Sequence, residues 1–555
     1  MSDSHDTKHA PCAAITVESG RLSGLRLSNG TRAFLGVPYA APPVGELRWR
    51  PPQSPHPWDG VRAADRFGPS SIQFPPPATS LYSGGETEFS EDCLYLNVYT
   101  GSESATDDKR PVMVWFHIGA FMWGSAAHPW FDGTGLAAAG VTVVTANYRL
   151  GRLGFLAHPE LTAESRSRAS GNYGIMDQIA ALKWVQRNIE AFGGDAKNVT
   201  IGGASAGGAS VHLLRCAPTA RPLFSKAICD GGPGLAPPAD GHGHVATYMT
   251  LGAAEKAGAE LLDALGVSSI SQLREVPAED IMRCQMSRAQ GPWKSAMGPS
   301  SISLSAFDTA NPIIDGNIVP ESPLAMFLSG SVADVPLLAG NAGNESSGMP
   351  YLDSLAAYQA FADEAFGHHA KDLLRLYPSK TDSEARAATA SLLADQCFVW
   401  PTWTSARLQA GRMRSPAWYY RSARAPPIPP DADLIERDHA GAFHVSPAIY
   451  AFGSLGAAKW DWDDGDRALS ARVVQAWVRF MQTGDPNGMP GEQQHAVDYW
   501  PALNPGGGGD SIMIWDVESR SGAPGSRFLD MVAFWDGYYG LRGSMSGRWR
   551  YPDVP

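Results

Sequence analysis

The chain has 555 residues, 44 % hydrophobic and 18 % charged, with a formal net charge of −12. That length exceeds the ~250–300 residues at which one core usually stops growing, so a very large domain or a few ordinary ones are expected, and the composition excludes a disordered chain. The acidic balance argues against nucleic acid and anionic membrane surfaces as partners, while 59 glycines and 43 prolines point to many turns and long loops.

Residues 1–14 have no basic region followed by an apolar run, so they read as a flexible tail rather than a secretory signal, with residues 15–555 forming a single domain. No stretch approaches 18 uninterrupted apolar residues, so no bilayer span is expected. The six cysteines, Cys12, Cys93, Cys216, Cys229, Cys284 and Cys397, are too scattered for a disulfide framework and form no CxxC, which fits a reducing cytoplasm.

In chain order, Val112 to Phe116 and Val141 to Ala146 read as buried strands rich in β-branched or aromatic residues. Between Asp177 and Phe192 the apolar residues Ile179, Leu182, Val185, Ile189 and Phe192 recur at helical spacing, and Gly193-Gly194 ends the pattern. Val199 to Gly202 is the next strand, followed after Ser205 by helical character from Ala209 to Leu214. Ala227 to Cys229, Val335 to Ala339 and Ala417 to Tyr420 are later strands. Short apolar runs alternating with helical segments predict an α/β fold with a largely parallel sheet. Pro426 to Pro430 and Gly506 to Gly509 read as surface loops.

Gly203-Ala204-Ser205-Ala206-Gly207 is the one GxSxG of the chain. In that motif a sharp strand-to-helix turn lifts a serine hydroxyl clear of the backbone. An ordinary Gly/Ser turn fits the pentapeptide too, but the β run before it and the helical segment after it are the setting the chemistry needs. A serine hydroxyl also needs a base, an acid to orient that base, and donors for an oxyanion. His117-Ile118-Gly119-Ala120-Phe121-Met122-Trp123-Gly124 follows a strand and resembles the esterase loop whose backbone N–H groups supply such donors. Neither HExxH nor a P-loop or GxGxxG is present, so no metal and no cofactor are expected. The close pairs His242/His244 and His368/His369 sit in polar stretches and read as solvated.

Longer signatures accompany these motifs. Gly36-Val37-Pro38-Tyr39 with Leu47-Arg48-Trp49-Arg50-Pro51-Pro52, then Glu91-Asp92-Cys93-Leu94-Tyr95-Leu96-Asn97-Val98, then Asn172-Tyr173-Gly174 through Phe192-Gly193-Gly194-Asp195 occur in order ahead of the serine. Together they resemble the type B carboxylesterase, or cholinesterase-like, family of the α/β-hydrolase superfamily, in character closest to bacterial carboxylesterases. The match runs from about Gly24 to Phe534-Trp535. It implies the α/β-hydrolase fold, a mostly parallel sheet flanked by helices, with insertions around 237–305 and 350–415 forming lid and pocket wall. It also implies a serine carboxylesterase with nucleophile Ser205. Glu345, in Gly340-Asn341-Ala342-Gly343-Asn344-Glu345, would orient the base, and His444, in Gly441-Ala442-Phe443-His444, would be that base, with His439 its rival. The implied oxyanion donors are the N–H groups of Gly119, Ala120 and Ala206, and Ile118, Phe121, Met122 and Trp123 are expected to line a pocket for an apolar acyl or alcohol group. The expected partner is thus a small ester, and the expected state a monomer or small homo-oligomer. A non-catalytic binding module and an acyltransferase using the same triad are the alternatives.

The chain departs from the family pattern in places. Ala204 stands where glutamate usually precedes the nucleophile, Pro447 where a glutamate follows the base, and Asp230-Gly231-Gly232 where Gln-Ser-Gly is usual, so the polar network behind the triad must be rebuilt. Ser71 occupies the position of the cysteine that pairs with Cys93 in secreted relatives. Ser83 and Gly348 replace the aromatic residues of the choline-selective branch, so cholinesterase activity is not implied.

Overall fold

The computed structural model describes residues 10–101, 108–237, 248–286, 293–294, 311–434, 440–489, 499–504 and 511–541. Its centre is a twelve-stranded sheet. From the middle outwards, Thr142–Ala146, Arg110–Phe116, Gly194–Ala204, Lys226–Asp230, Leu337–Ala342, Ala417–Ser422 and Ile512–Trp515 run parallel. Tyr95–Thr100 and Arg32–Pro38 add antiparallel strands on one side, and Arg520–Gly522 does so at the far edge. Every strand expected from the sequence is present: four are longer than expected, Thr142–Ala146 is one residue shorter, and Leu337–Ala342 starts two residues later and runs three further. The expected helix begins earlier, at Tyr173, runs to Asn188, and tightens into a 3₁₀ turn, Ile189–Phe192, that Gly193 closes at φ +79°.

Both faces of the sheet are covered, as parallel strands require. Side chains alternate between the two covers: Val112, Val114 and Phe116 face one core with Ile201, Leu182 and Leu213, while Met113 and Trp115 face the other with Ile228, Leu338, Trp418 and Trp477. The strand Arg110–Phe116 lies between the strand that follows it and the next one, Gly194–Ala204, so the winding reverses there. The crevice beyond the carboxyl ends of such strands is where open α/β sheets bind ligands.

The motifs carrying the resemblance hold one another. Arg48 makes a two-pronged ion pair with Glu91, and Trp49 Nε1 donates to the Arg152 carbonyl at 2.8 Å. Arg149 forks onto the buried Asp177 at 2.8 and 2.7 Å and also donates its backbone N–H to it.

The expected N-terminal tail is ordered sooner than residue 15. Ala10–Pro11 pairs antiparallel with Leu25–Arg26, and Cys12 donates to the Gly24 carbonyl, because the sheet edge offers unpaired backbone groups; residues 1–9 lie outside the described residues. In the segment 237–305 the described part forms the helices Leu251–Ala264, Ile270–Glu275 and Ala278–Met286, which pack Leu261, Ile270, Leu273 and Ile281 against Trp49, Leu153 and Tyr173. Segment 350–415 is helical and includes a π-helical turn, Asp395–Val399. Gly506 to Gly509 lie outside the described residues. No helix of the described residues is long and apolar enough to cross a membrane.

Candidate active site

Ser205 joins the strand Gly194–Ala204 to the helix Ala206–Cys216 with φ 54° and ψ −122°, a conformation costly for any residue bearing a Cβ. The neighbours explain how the turn is tolerated. A Cβ on Gly203 would lie 2.3 Å from the Gly207 carbonyl carbon, and one on Gly207 only 2.0 Å from the Phe116 carbonyl oxygen. The Ser205 N–H donates to the Asp230 carbonyl at 2.9 Å and its own carbonyl starts the helix by accepting from Ala209.

Beside it, after the strand Arg110–Phe116, the chain turns through three consecutive positive φ angles at Gly119, Ala120 and Phe121 (114°, 51° and 60°). Met122 and Trp123 both donate to the Gly119 carbonyl, at 2.8 and 3.0 Å. The N–H groups of Gly119, Ala120 and Ala206 find no acceptor among the described residues, the Ala206 group being one of the free donors every helix start leaves. The loop is braced from behind: Tyr148 stacks on His117 at 4.4 Å and donates to its carbonyl, and Gly151 donates to the Phe121 carbonyl at 2.7 Å. Arg149, between those two residues, is anchored by Asp177. Burial pushes the His117 imidazole down to about 4, so the ring behind the loop is neutral. Of the residues expected to line a pocket, Ile118 and Phe121 are buried, Phe121 edge-on to Phe155, whereas Met122 and Trp123 are half-buried.

The loops that carry Glu345 and His444 arrive from much later in the chain and are zipped to each other. Asn344 forms a parallel bridge with Phe443, donating its N–H to the Ala442 carbonyl at 2.8 Å, and its side chain donates to the Ala440 carbonyl at 2.9 Å. Across this seam His444 Nδ1 is hydrogen-bonded to Glu345 Oε2. The other carboxylate oxygen, Oε1, accepts from Asn341 Nδ2 and the Ala342 N–H, both at 2.8 Å. A carboxylate only accepts, so Nδ1 carries the hydrogen and the neutral ring keeps its lone pair on Nε2. That Nε2 is buried and has no hydrogen-bond partner among the described residues, Ser205 Oγ included. Such bonds are often long without substrate. His439 lies outside the described residues.

Four residues near this pair or the loop beside it were given no role from the sequence. Phe398, on the π-helical turn, stacks on the His444 ring at 4.0 Å and 25°. Tyr82 lies 6.4 Å from the same ring, tilted to it, and donates to the Ser347 carbonyl. Gln73 clips the end of the loop 117–124, accepting from the Gly124 N–H at 2.7 Å and donating to the Gly124 carbonyl at 3.0 Å. The fourth is Asp230, whose side chain lies in the sheet row Ala204–Asp230–Gly340–Tyr420. Only Asp230 carried a signal, as one of the residues departing from the family pattern. The others touch the site through contacts across long sequence separations that no local pattern encodes.

Ala204 is fully buried among apolar groups. Pro447 opens the helix Ser446–Phe452 from within its first turn. Gly231, at φ +53°, lies beneath the pair: a Cβ there would stand 3.1 Å from His444 Cε1 and 3.2 Å from Glu345 Oε1. All six cysteines are free, and Cys93, its thiol pushed up to about 12 by burial, faces the Ser71 hydroxyl. His242 and His244 lie outside the described residues; His369 packs on Phe534 and Tyr538.

The carboxylesterase family model matches residues 11–509. The chain is 36 % identical to the fumonisin B1 esterase of Sphingopyxis macrogoltabida over 518 residues, covering 91 % of this chain and 86 % of that protein. It is 34 % identical to the para-nitrobenzyl esterase of Bacillus subtilis (strain 168) over 505 residues, covering 88 % and 92 %. A PNB esterase structure superimposes with a TM-score of 0.76 at 32 % identity, over 94 % of this chain and 99 % of that one.

Proposed function

From the premise that this chain belongs to the carboxylesterase family, whose fold is the α/β-hydrolase fold and whose chemistry is carboxylic-ester hydrolysis, we propose that it cleaves small esters through an acyl-enzyme on Ser205. His444 Nε2 takes the proton of Ser205 Oγ as the oxygen attacks the ester carbonyl. The negative charge that develops on the carbonyl oxygen is met by the N–H groups of Gly119, Ala120 and Ala206. The imidazolium, steadied by Glu345, then gives its proton to the departing alcohol, and water repeats the cycle on the acyl-enzyme. Met122 and Trp123 present the apolar surface beside the oxyanion loop, which favours an apolar acyl or alcohol group; Phe121 anchors the loop from the core. We place the enzyme in the cytoplasm, where six reduced thiols are stable.

What carries this reading is the buried Glu345–His444 pair, whose Nε2 has no partner among the described residues, taken with a strained serine and three unused N–H donors that likewise follow the carboxyl ends of central strands. Hydrolysis of a p-nitrophenyl ester series from acetate to laurate, run on the protein and on Ser205→Ala in parallel, tests it. The substitution is expected to lower turnover on the order of 10⁴–10⁶-fold. Turnover that survives Ser205→Ala, or no turnover of any ester by the unaltered chain, overturns it.

A further inference from the structure

One buried acid beside the triad has no place in that mechanism. Asp230 is 1 % exposed and ends the strand that runs next to the nucleophile strand, its carbonyl holding the Ser205 N–H. Its side chain stands between Ala204 and Gly340, residues with almost no side chain of their own, in the row that continues to Tyr420. The Tyr420 ring lies so tightly over Gly340 that a Cβ there would meet it at 2.3 Å. The Tyr420 hydroxyl faces the Asp230 carboxyl, but neither group has a well-formed hydrogen bond among the described residues. Glu345 acts on Asp230 from the acid loop, Cys229 precedes it on its own strand, and His444 lies across Gly231. Among the described residues no lysine or arginine is hydrogen-bonded to its carboxyl.

We propose that Asp230, with Tyr420, is a positioning residue for the hydrolytic step: a buried, unpartnered acid across Gly231 from His444, whose charge competes with that of Glu345 beneath the imidazole. The proposal rests on the Ser205–His444–Glu345 reading above. Two carboxyls in one dry site do not both ionise cheaply, and donors decide which keeps the charge. Glu345 has Asn341 Nδ2, the Ala342 N–H and His444 Nδ1; Asp230 has only the imperfectly placed tyrosine hydroxyl. Burial first, and the Glu345 charge second, push the Asp230 carboxyl well above its ordinary range. When Asp230 does lose its proton, at alkaline pH, the new charge repels Glu345 from its seat under the imidazole, and kcat falls while KM stays. A buried acid held this way also costs stability: the unfolded chain releases the proton above about pH 4, whereas the fold must retain it. The cost is therefore absent below about pH 4 and grows as the pH rises towards the raised folded value. A side chain that carries such a cost beside a reactive serine points to function.

The test is the pH profile of kcat and KM for p-nitrophenyl butyrate with the unaltered chain, Asp230→Asn and Tyr420→Phe, together with thermal melts at about pH 4 and pH 8. The unaltered chain is expected to lose about tenfold in kcat per pH unit on an alkaline limb that Asp230→Asn lacks. Tyr420→Phe removes the one group favouring the ionised acid, so its limb moves to higher pH. Asp230→Asn melts above the unaltered chain at pH 8, and the gap closes at pH 4. An alkaline limb that Asp230→Asn retains, or equal melting temperatures at pH 8, overturns the proposal. Ser205→Ala measured alongside separates the two readings: if it still turns over, the hydrolytic reading fails. If it is dead while Asp230→Asn keeps the limb, only the role of Asp230 fails.

Discussion

The two sides of the proposed site are built by different means. The nucleophile and oxyanion side comes from short stretches in the first half of the chain, each fixed by its own backbone: three successive positive φ angles at residues 119–121, a strained serine, and glycines with no room for a Cβ. The acid and base side is assembled from loops about a hundred residues apart, held by a backbone bridge between Asn344 and Phe443 and by rings around His444. A local site is dictated by conformation, whereas a long-range one is dictated by packing, so the two should fail differently when disturbed.

The sharpest break is expected on the long-range side. Glu345→Gln preserves shape but presents the wrong hydrogen-bonding partner to Nδ1, and kcat should fall on the order of 10⁴-fold with KM little changed, read by steady-state kinetics. Disturbing the support of the local side should instead appear as lost stability. Asp177→Ala strands Arg149, a buried charge next in the chain to Tyr148, whose ring and hydroxyl brace the loop at His117, and should cost about 3–5 kcal/mol in a denaturant melt. Gly119→Ala places a Cβ 1.9 Å from the Trp123 carbonyl oxygen and so deforms the donor loop. Here kcat is expected to drop about 10²–10³-fold, while circular dichroism shows the fold retained. The smallest effect belongs to Phe398→Leu, which removes the ring stacked on His444 but keeps an apolar contact. Ring pairs of this kind are worth about 0.5–1.5 kcal/mol, a loss in kcat/KM of roughly two- to tenfold. A larger loss than at Glu345 would show that packing, not the carboxylate, orients the base.

The same contrast explains what the sequence made legible. Strand runs such as Val112 to Phe116, the helix before Gly193 and the GxSxG turn follow from period, glycine and propensity, and all three stand where they were read. Glu345 and His444 carry no local signature, since a loop acid and a loop histidine look alike anywhere, and only resemblance singled them out. Phe398 owes its position to a single π-helical turn, and Gln73 to a contact with Gly124 across 51 residues; neither has a periodicity to betray it. The early ordering at Ala10–Pro11 escaped for a related reason, because its partner Leu25–Arg26 is a sheet edge that exists only once the fold has formed.

The central claim is that the two sides converge on one serine. It is tested most directly by mapping the adduct of a serine-directed fluorophosphonate, by mass spectrometry, in the unaltered chain and in His444→Ala. The account predicts one adduct, on Ser205, formed at least on the order of 10³-fold more slowly without His444. Label on another residue, or equal rates in the two proteins, would contradict it.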